Sequence, residues 1–272
     1  MSFFRVVKAE LHKYYVQQFV SYRTAFWFLV LPFGNGLLYY SMYLPFTSTV
    51  VQFSWLGHNA LVDIVGFTLL GQLLYTFFVG VTLAGSAFDT ERVQGTFEAM
   101  LLTPATRVAI LLGGLVVATA QYLWLIVGII PVFLFYFHLG IAVADPLALL
   151  LSLFLTYTAL TALGLCLEAF FIQTRKGILL GTTLQEPVAL ASGVIVPPSA
   201  YPTQIALLTY LIPLTLGLIS VRLTLLAGGM LSEVLVPLAT LAAMTVMFLF
   251  LGRWLIARAE TIAKANGSLA LF

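Results

Sequence analysis

Six long apolar runs, most of them without a charged residue, constrain this chain more than any other feature. Each is about 20 residues or longer, which is the length an α-helix needs to cross the hydrocarbon core of a bilayer. Charged residues make up only 8% of the chain, against about 25% in an ordinary soluble domain, so lipid must cover much of its surface. The sequence therefore predicts an all-α, multi-pass membrane protein that forms a single domain over residues 1–272. The six predicted spans lie at about 24–46, 61–86, 108–137, 147–171, 177–197 and 234–257.

The basic residues predict how these spans are oriented. If both termini are cytoplasmic, 11 of the 12 lysines and arginines lie on the cytoplasmic side and only Arg222 lies outside. This distribution obeys the positive-inside rule, and it indicates a cell membrane (inner or plasma membrane) as the location. Counting the apolar stretch Tyr201 to Met230 as a seventh span would move the basic C-terminal residues outside. We therefore expect residues 198–233 to form an outer re-entrant segment, which dips into the membrane without crossing it.

The first 22 residues are predicted to form an amphipathic surface helix. Apolar residues recur there at helical spacing, while Arg5, Lys8 and His12 form another face. Such a helix can lie on the cytoplasmic leaflet with its basic side toward lipid phosphates. Packing of the same helix against cytoplasmic protein is the alternative.

A polar segment at residues 87–107 separates the second and third predicted spans. Its part from Asp89 to Arg107 holds five of the chain's 22 formal charges within 19 residues. Because it lies between two spans, this segment must stand in water, where another protein could bind it. The alternative is an ordinary solvated loop between helices.

Two blocks of sequence resemble one known family. The first is Glu91-Arg92-x-x-Gly95-Thr96-x-Glu98-x-x-Leu101-x-Thr103-Pro104, and it looks like the signature cytoplasmic loop of type-2 ATP-binding-cassette (ABC) exporter permeases. The second block runs from Ser192-Gly193-Val194-x-x-Pro197 through Tyr201-Pro202 and Pro213-Leu214-Thr215 to Arg222, and it precedes the last span as in that family. The resemblance covers essentially the whole chain.

The resemblance implies a division of labour between subunits. The chain contains no Gly-x-x-x-x-Gly-Lys-Ser/Thr motif, so it cannot hold ATP phosphates as a P-loop does. ATP and Mg are then expected on a separate cytoplasmic ABC ATPase subunit, and this chain binds no cofactor of its own and is not an enzyme. In such a family the polar segment is the coupling helix that docks on the ATPase. Its expected contact residues are Glu91, Arg92, Gly95, Thr96, Phe97, Glu98, Leu101, Thr103 and Pro104.

Six spans are half of the usual permease framework of this family, so the resemblance also implies a dimer. The partner is a second copy or a paralogue, with the translocation pathway between the two protomers. With two ATPase subunits this gives a complex of four parts, held in membrane lipid.

Two further groups of residues are candidates for the transport path. Glu186 precedes Pro187 near the middle of the fifth predicted span. Ionisable residues within a membrane are functional candidates by default, so Glu186 either lines the pathway or hydrogen-bonds a neighbouring helix as a protonated clamp. Beyond it, Ser192, Gly193, Pro197 and Pro198 lead into the outer segment and are expected to form an outer gate, since glycine permits unusual backbone angles and proline ends regular helix.

The cargo follows less directly from the sequence. Few fixed charges lie along the predicted pathway, which favours a hydrophobic or amphipathic small molecule, such as a drug or antibiotic, or a lipid. A polysaccharide or lipid-linked glycan is the alternative, and a secondary transporter or an intramembrane protease is a more distant one. The net charge of +2 argues against nucleic acid as a partner, and the single cysteine and three isolated histidines give no metal-site spacing.

Overall fold

The computed structural model describes residues 3–19, 26, 30, 50–55, 58–84, 95, 113, 116, 143–171 and 177–265, and this described part is predominantly helical. We number its helices α1 to α7 in chain order. They are α1 (Phe3–Phe19), α2 (Ile64–Ala84), α3 (Pro146–Phe171), α4 (Gly177–Ala191), α5 (Thr203–Thr209), α6 (Pro213–Leu226) and α7 (Leu231–Ala265), with one 3-10 turn at Pro198–Ala200.

The described part is predominantly helical, as the predicted fold class requires, but it also contains one β-hairpin that was not predicted. Strands β1 (Val50–Trp55) and β2 (His58–Asp63) pair antiparallel, with Val50 opposite Asp63 and Trp55 opposite His58. Valine, phenylalanine and tryptophan favour extended backbone, and hydropathy over a span-length window does not detect six-residue strands. The second predicted span therefore starts as helix at Ile64 and not at residue 61.

Helices α3 and α7 form a parallel pair. Asp145 connects their first turns: its Oδ1 accepts hydrogen bonds from the backbone N–H of Leu147 (3.0 Å) and Ala148 (3.2 Å), and its Oδ2 accepts one from Leu231 N–H (3.2 Å). Toward the other end, the Cys166 thiol donates to the carbonyl of Phe248. The two helices therefore start at the same face of the protein. This face is the outer one in the predicted topology.

Within the described residues, two helical stretches are long and apolar enough to cross a membrane, namely 146–167 and 231–258. The residues 66–82 of α2 form a shorter apolar helix, and α5 and α6, bent by 91° at residues 210–212, would count as a third span if taken as one. The predicted spans at 24–46 and 108–137 lie outside the described residues, apart from Phe26, Val30, Gly113 and Val116, which are helical.

The exposed faces of the long helices α3 and α7 are apolar. Phe154 on α3 is 61% exposed and Phe250 on α7 is 73% exposed. Exposing such an apolar surface to water over two long helices is unfavourable, whereas lipid can cover it. This chain is therefore a membrane protein.

Helix α2 runs antiparallel to α4. The Gln185 side-chain amide donates to the Thr82 hydroxyl (3.0 Å) near the end of α2, while residues 193 and 194, beyond the end of α4, lie against the first turns of α2. Helix α6 packs between α2 and α3, and Leu160, Leu214 and Leu218 are fully buried there. Helix α4 ends at Ala191, six residues before the predicted end of the fifth span.

Helix α1 confirms the predicted N-terminal helix. Arg5, Lys8 and His12 are exposed, as expected for a polar face, and Val6 on another face is buried.

Candidate functional site: the outer junction around Arg222

The predicted outer-gate residues form a compact turn after α4. Ser192, Gly193 and Pro198 are buried, and Pro197 is half-buried. Gly193 has φ +89°, a conformation that residues with a side chain rarely adopt, and a Cβ added there would lie 2.8 Å from Pro198 Cδ. The glycine is therefore required both for its backbone angle and for the close approach of Pro198.

Arg222 holds this turn from the side of α6. Only 1% of Arg222 is exposed. Its Nη1 donates to the carbonyl of Gly193 (2.7 Å), and its Nη2 donates to the carbonyls of Val194 (3.1 Å) and Phe67 (2.8 Å). The planar guanidinium thus bonds to three carbonyls on two backbone segments, the turn after α4 and α2, which a lysine could not do with the same geometry.

The aromatic ring of Phe67 adds a second contact to the same side chain. The guanidinium carbon of Arg222 lies 3.4 Å from the centroid of that ring, which is a cation–π arrangement, and such contacts are stronger away from water. Within the described residues, the Nε of Arg222 has no hydrogen-bond acceptor. The charge is therefore held by carbonyl oxygens and a ring face.

Gly71 on α2 completes the junction. A Cβ at this position would lie 2.3 Å from the carbonyl oxygen of Val194 and 2.5 Å from Nη2 of Arg222. No side chain fits there without displacing backbone or the guanidinium. We call the contacts among Phe67, Gly71, Gly193, Val194 and Arg222 the outer junction.

Sequence reasoning placed Gly193 in the gate but gave no role to Arg222, Phe67 or Gly71. The available signal was that Arg222 is the one basic residue assigned to the outer side. It stands in an otherwise apolar segment, and a cation in such a place needs partners.

The 3-10 turn and α5 follow the predicted gate residues along the chain. The Tyr201 hydroxyl donates to the carbonyl of Leu190 (2.8 Å), which ties the start of the outer segment back to the end of α4. Ile205 and Leu208 on α5 are exposed by 50% and 64%. The predicted outer segment thus contains two short helices joined at a sharp bend.

Glu186 and Pro187 lie on an exposed face of α4. Thr182 and Thr183 are exposed on the same helix, one turn earlier. Pro187 lies within the helix, where it supplies no backbone N–H. The structure does not bring Glu186 into the outer junction: its neighbour Gln185 instead contacts Thr82 on α2.

The predicted coupling residues lie outside the described residues, with one exception. These are Glu91, Arg92, Thr96, Phe97, Glu98, Leu101, Thr103 and Pro104. The exception, Gly95, has φ +73°. A glycine here lets the chain turn where another residue would be strained.

The family whose description is "ABC-2 type transporter" matches residues 3–226, which is most of the chain and includes both sequence blocks that carry the resemblance. The chain belongs to this family. The resemblance inferred from the sequence is thereby confirmed, and the chain is a membrane-spanning permease component of an ABC transporter and not its ATPase. Helix α7 lies beyond the matched residues. None of the curated proteins compared with the chain matches it.

Proposed function

We propose that this ABC-2 permease is half of the membrane part of an ATP-driven exporter in a cell membrane, with both termini cytoplasmic. Two permease chains, identical or paralogous, enclose the pathway, and each takes its movement from a cytoplasmic ATPase that binds ATP and Mg. The observation that carries the proposal is the Asp89–Arg107 segment, whose motif belongs to a family of permeases that work with such ATPases.

The exposed face of α4 supports a second permease chain. Glu186, Thr182 and Thr183 are exposed on a helix whose remaining residues are mostly apolar. A charged side chain at the centre of a membrane helix costs about 2.5–3.5 kcal/mol on insertion scales, so lipid is a poor neighbour for this face. The hydroxyls of Thr182 and Thr183 already donate to the carbonyl of Leu179 on the same helix. A partner protomer or a water-filled pathway would supply the polar surroundings that the Glu186 carboxylate needs.

The same face suggests the class of cargo. One carboxylate and two hydroxyl groups stand among apolar residues, which suits an amphipathic small molecule or a lipid with a cationic or hydroxylated headgroup. The outer segment of residues 198–233 would close the pathway toward the outside, and its release would let the cargo leave. The parallel start of α3 and α7 supports a re-entrant path for this segment. If α4 returns the chain to the face where α3 and α7 start, residues 198–230 begin and end on that face, which is the outer one in the proposed topology.

The test of the proposal is a charge reversal in the coupling motif. Glu98→Arg should abolish cargo transport while the permease still inserts and dimerises, because the carboxylate stands in an apolar part of the motif that would dock on the ATPase. Transport into inverted membrane vesicles, with and without ATP, measures the effect.

The chain offers a matched control. Asp89→Arg makes the same change of charge in the same segment but outside the motif, and it should retain transport. Normal transport by Glu98→Arg, with unchanged binding of the ATPase, would rule out the coupling role.

A further inference from the structure

Arg222 is unusual for a residue of an apolar helix such as α6, because it is charged, buried and bonded to backbone carbonyls of other segments. Two of its three acceptors belong to the turn after α4 and the third belongs to α2. Arg222, which lies in the outer segment on α6, therefore connects this segment both to α2 and to the turn after α4. Removing the guanidinium would leave all three contacts without a donor.

Helix α2 is the element that could bring movement to this point. Its first turns hold Phe67 and Gly71, and its last residue, Ala84, is followed after four residues by the charged Asp89–Arg107 segment. A 21-residue helix is about 30 Å long at 1.5 Å per residue. It therefore joins the cytoplasmic segment to the outer junction through one rigid element.

Close packing at Gly71 is a second, independent observation. Because Val194 and Arg222 both approach this glycine too closely for any Cβ, α2 cannot shift or rotate there without displacing the turn. The contact transmits pushing, while the hydrogen bond from Arg222 to Phe67 transmits pulling. Together these two contacts would couple a movement of α2 to the turn.

We propose that Arg222 is a positioning residue that couples α2 to the Ser192–Pro198 turn, so that ATPase-driven movement of α2 opens the outer segment. This inference rests on the proposed function, in which the Asp89–Arg107 segment receives that movement. It goes beyond that function in naming the residue and the helix that carry the movement across the membrane.

The experiment compares permease variants by how far nucleotide changes the exposure of the outer segment. Each complex is isolated together with its ATPase through a tag on the permease and is placed in lipid nanodiscs. The parent carries Cys166→Ala and Ser199→Cys, since Ser199 is exposed on the 3-10 turn. Its labelling by a membrane-impermeant maleimide is measured without nucleotide and with Mg-ATP plus vanadate. We expect the labelling rate of the parent to change several-fold between the two conditions.

Arg222→Met keeps a long side chain and removes the donor groups. It should lose the nucleotide-dependent change in labelling while ATP hydrolysis by the complex continues. Arg222→Lys keeps the charge without the planar fork and should lose part of the change. Gly71→Ala keeps the arginine in the sequence but displaces its guanidinium or the Val194 carbonyl, so it should resemble Arg222→Met.

Thr224→Val is the matched control. Thr224 is buried on α6 two residues from Arg222, and its hydroxyl bonds only to carbonyls of its own helix among the described contacts. This variant should keep the nucleotide response, although it too removes a buried polar group from α6. A purely structural role for Arg222 would make the two variants alike.

Retention of the nucleotide response by both Arg222→Met and Gly71→Ala would overturn the proposal, as would its loss in Thr224→Val. If Arg222→Met does not fold, Arg222→Lys and Gly71→Ala decide the outcome by the same criterion. A parent that shows no nucleotide response would overturn this proposal together with the outer gate. The coupling of the Asp89–Arg107 segment would still be judged separately by Glu98→Arg.

Discussion

Asp145 offers a quantitative test of the packing between α3 and α7, because one carboxylate caps both helices. Its Oδ1 accepts from Leu147 N–H and Ala148 N–H, and its Oδ2 accepts from Leu231 N–H. Both helices start at the same face, so their positive N-terminal dipoles are neighbours and repel. A negative charge between them offsets that repulsion.

Asp145→Ala should remove both caps. Loss of an N-cap residue costs about 1 kcal/mol, and a hydrogen bond to a charged acceptor contributes about 1.5 kcal/mol. The free energy of unfolding should therefore fall by about 2–3 kcal/mol, with a smaller addition from the dipoles. At about 2–4 °C per kcal/mol for a chain of this size, the unfolding temperature should drop by roughly 5–10 °C.

Asp145→Asn separates the two helices. The amide keeps one oxygen, which can still cap α3, but presents N–H₂ where Leu231 N–H needs an acceptor. We expect about half of the loss seen with alanine. Thermal unfolding of the purified protein in one detergent, followed by circular dichroism at a fixed heating rate, measures both variants, with Ser199→Ala as an exposed control.

Equal losses for asparagine and alanine would mean that the two carboxylate oxygens do not act separately, and the assignment of one oxygen to each helix would be wrong. An unchanged unfolding temperature for both variants would refute the shared cap altogether. The parallel start of α3 and α7 would then lose its principal contact.

Two further predictions concern topology and the pathway. In a background without the native cysteine, Ser199→Cys should react with an impermeant thiol reagent from outside and Gln94→Cys only from inside. The reason is that the basic residues place residue 94 in the cytoplasm. External labelling at residue 94 would invert the topology. Glu186→Gln should reduce transport of a cationic amphipathic cargo several-fold and leave transport of an uncharged cargo unaffected. Transport rates in vesicles measure both, with Thr183→Ser as the control. Equal effects on the two cargoes would favour a clamp between helices over a pathway residue.

The positions of several helices could be predicted from the sequence because their determinants are local. Bilayer thickness fixes the length of an apolar run, so the predicted spans at 61–86, 147–171 and 234–257 correspond to helices 64–84, 146–171 and 231–265. The N-terminal helix followed from periodicity in the same way. The conformation of Gly193 was also foreseen in kind, because a glycine followed four and five residues later by two prolines signals a break in the helix.

The family followed from two short motifs, and both lie within the residues 3–226 that the family matches. The hairpin at residues 50–63 was missed because strands of six residues leave almost no trace in hydropathy over a window of span length. A shorter period-two analysis would have been the appropriate signal.

The sequence by itself determined that this chain lies in a membrane, where several of its helices lie and to which family it belongs, since each of these depends on neighbouring residues. Only the tertiary structure decided what Arg222 and Asp145 do. Arg222 bonds to a carbonyl 155 residues away, and Asp145 bonds to an N–H 86 residues away. Hydropathy treats both residues as isolated charges. A buried charge is stable only when folding brings distant donors and acceptors to it, and that arrangement is a property of how the helices pack.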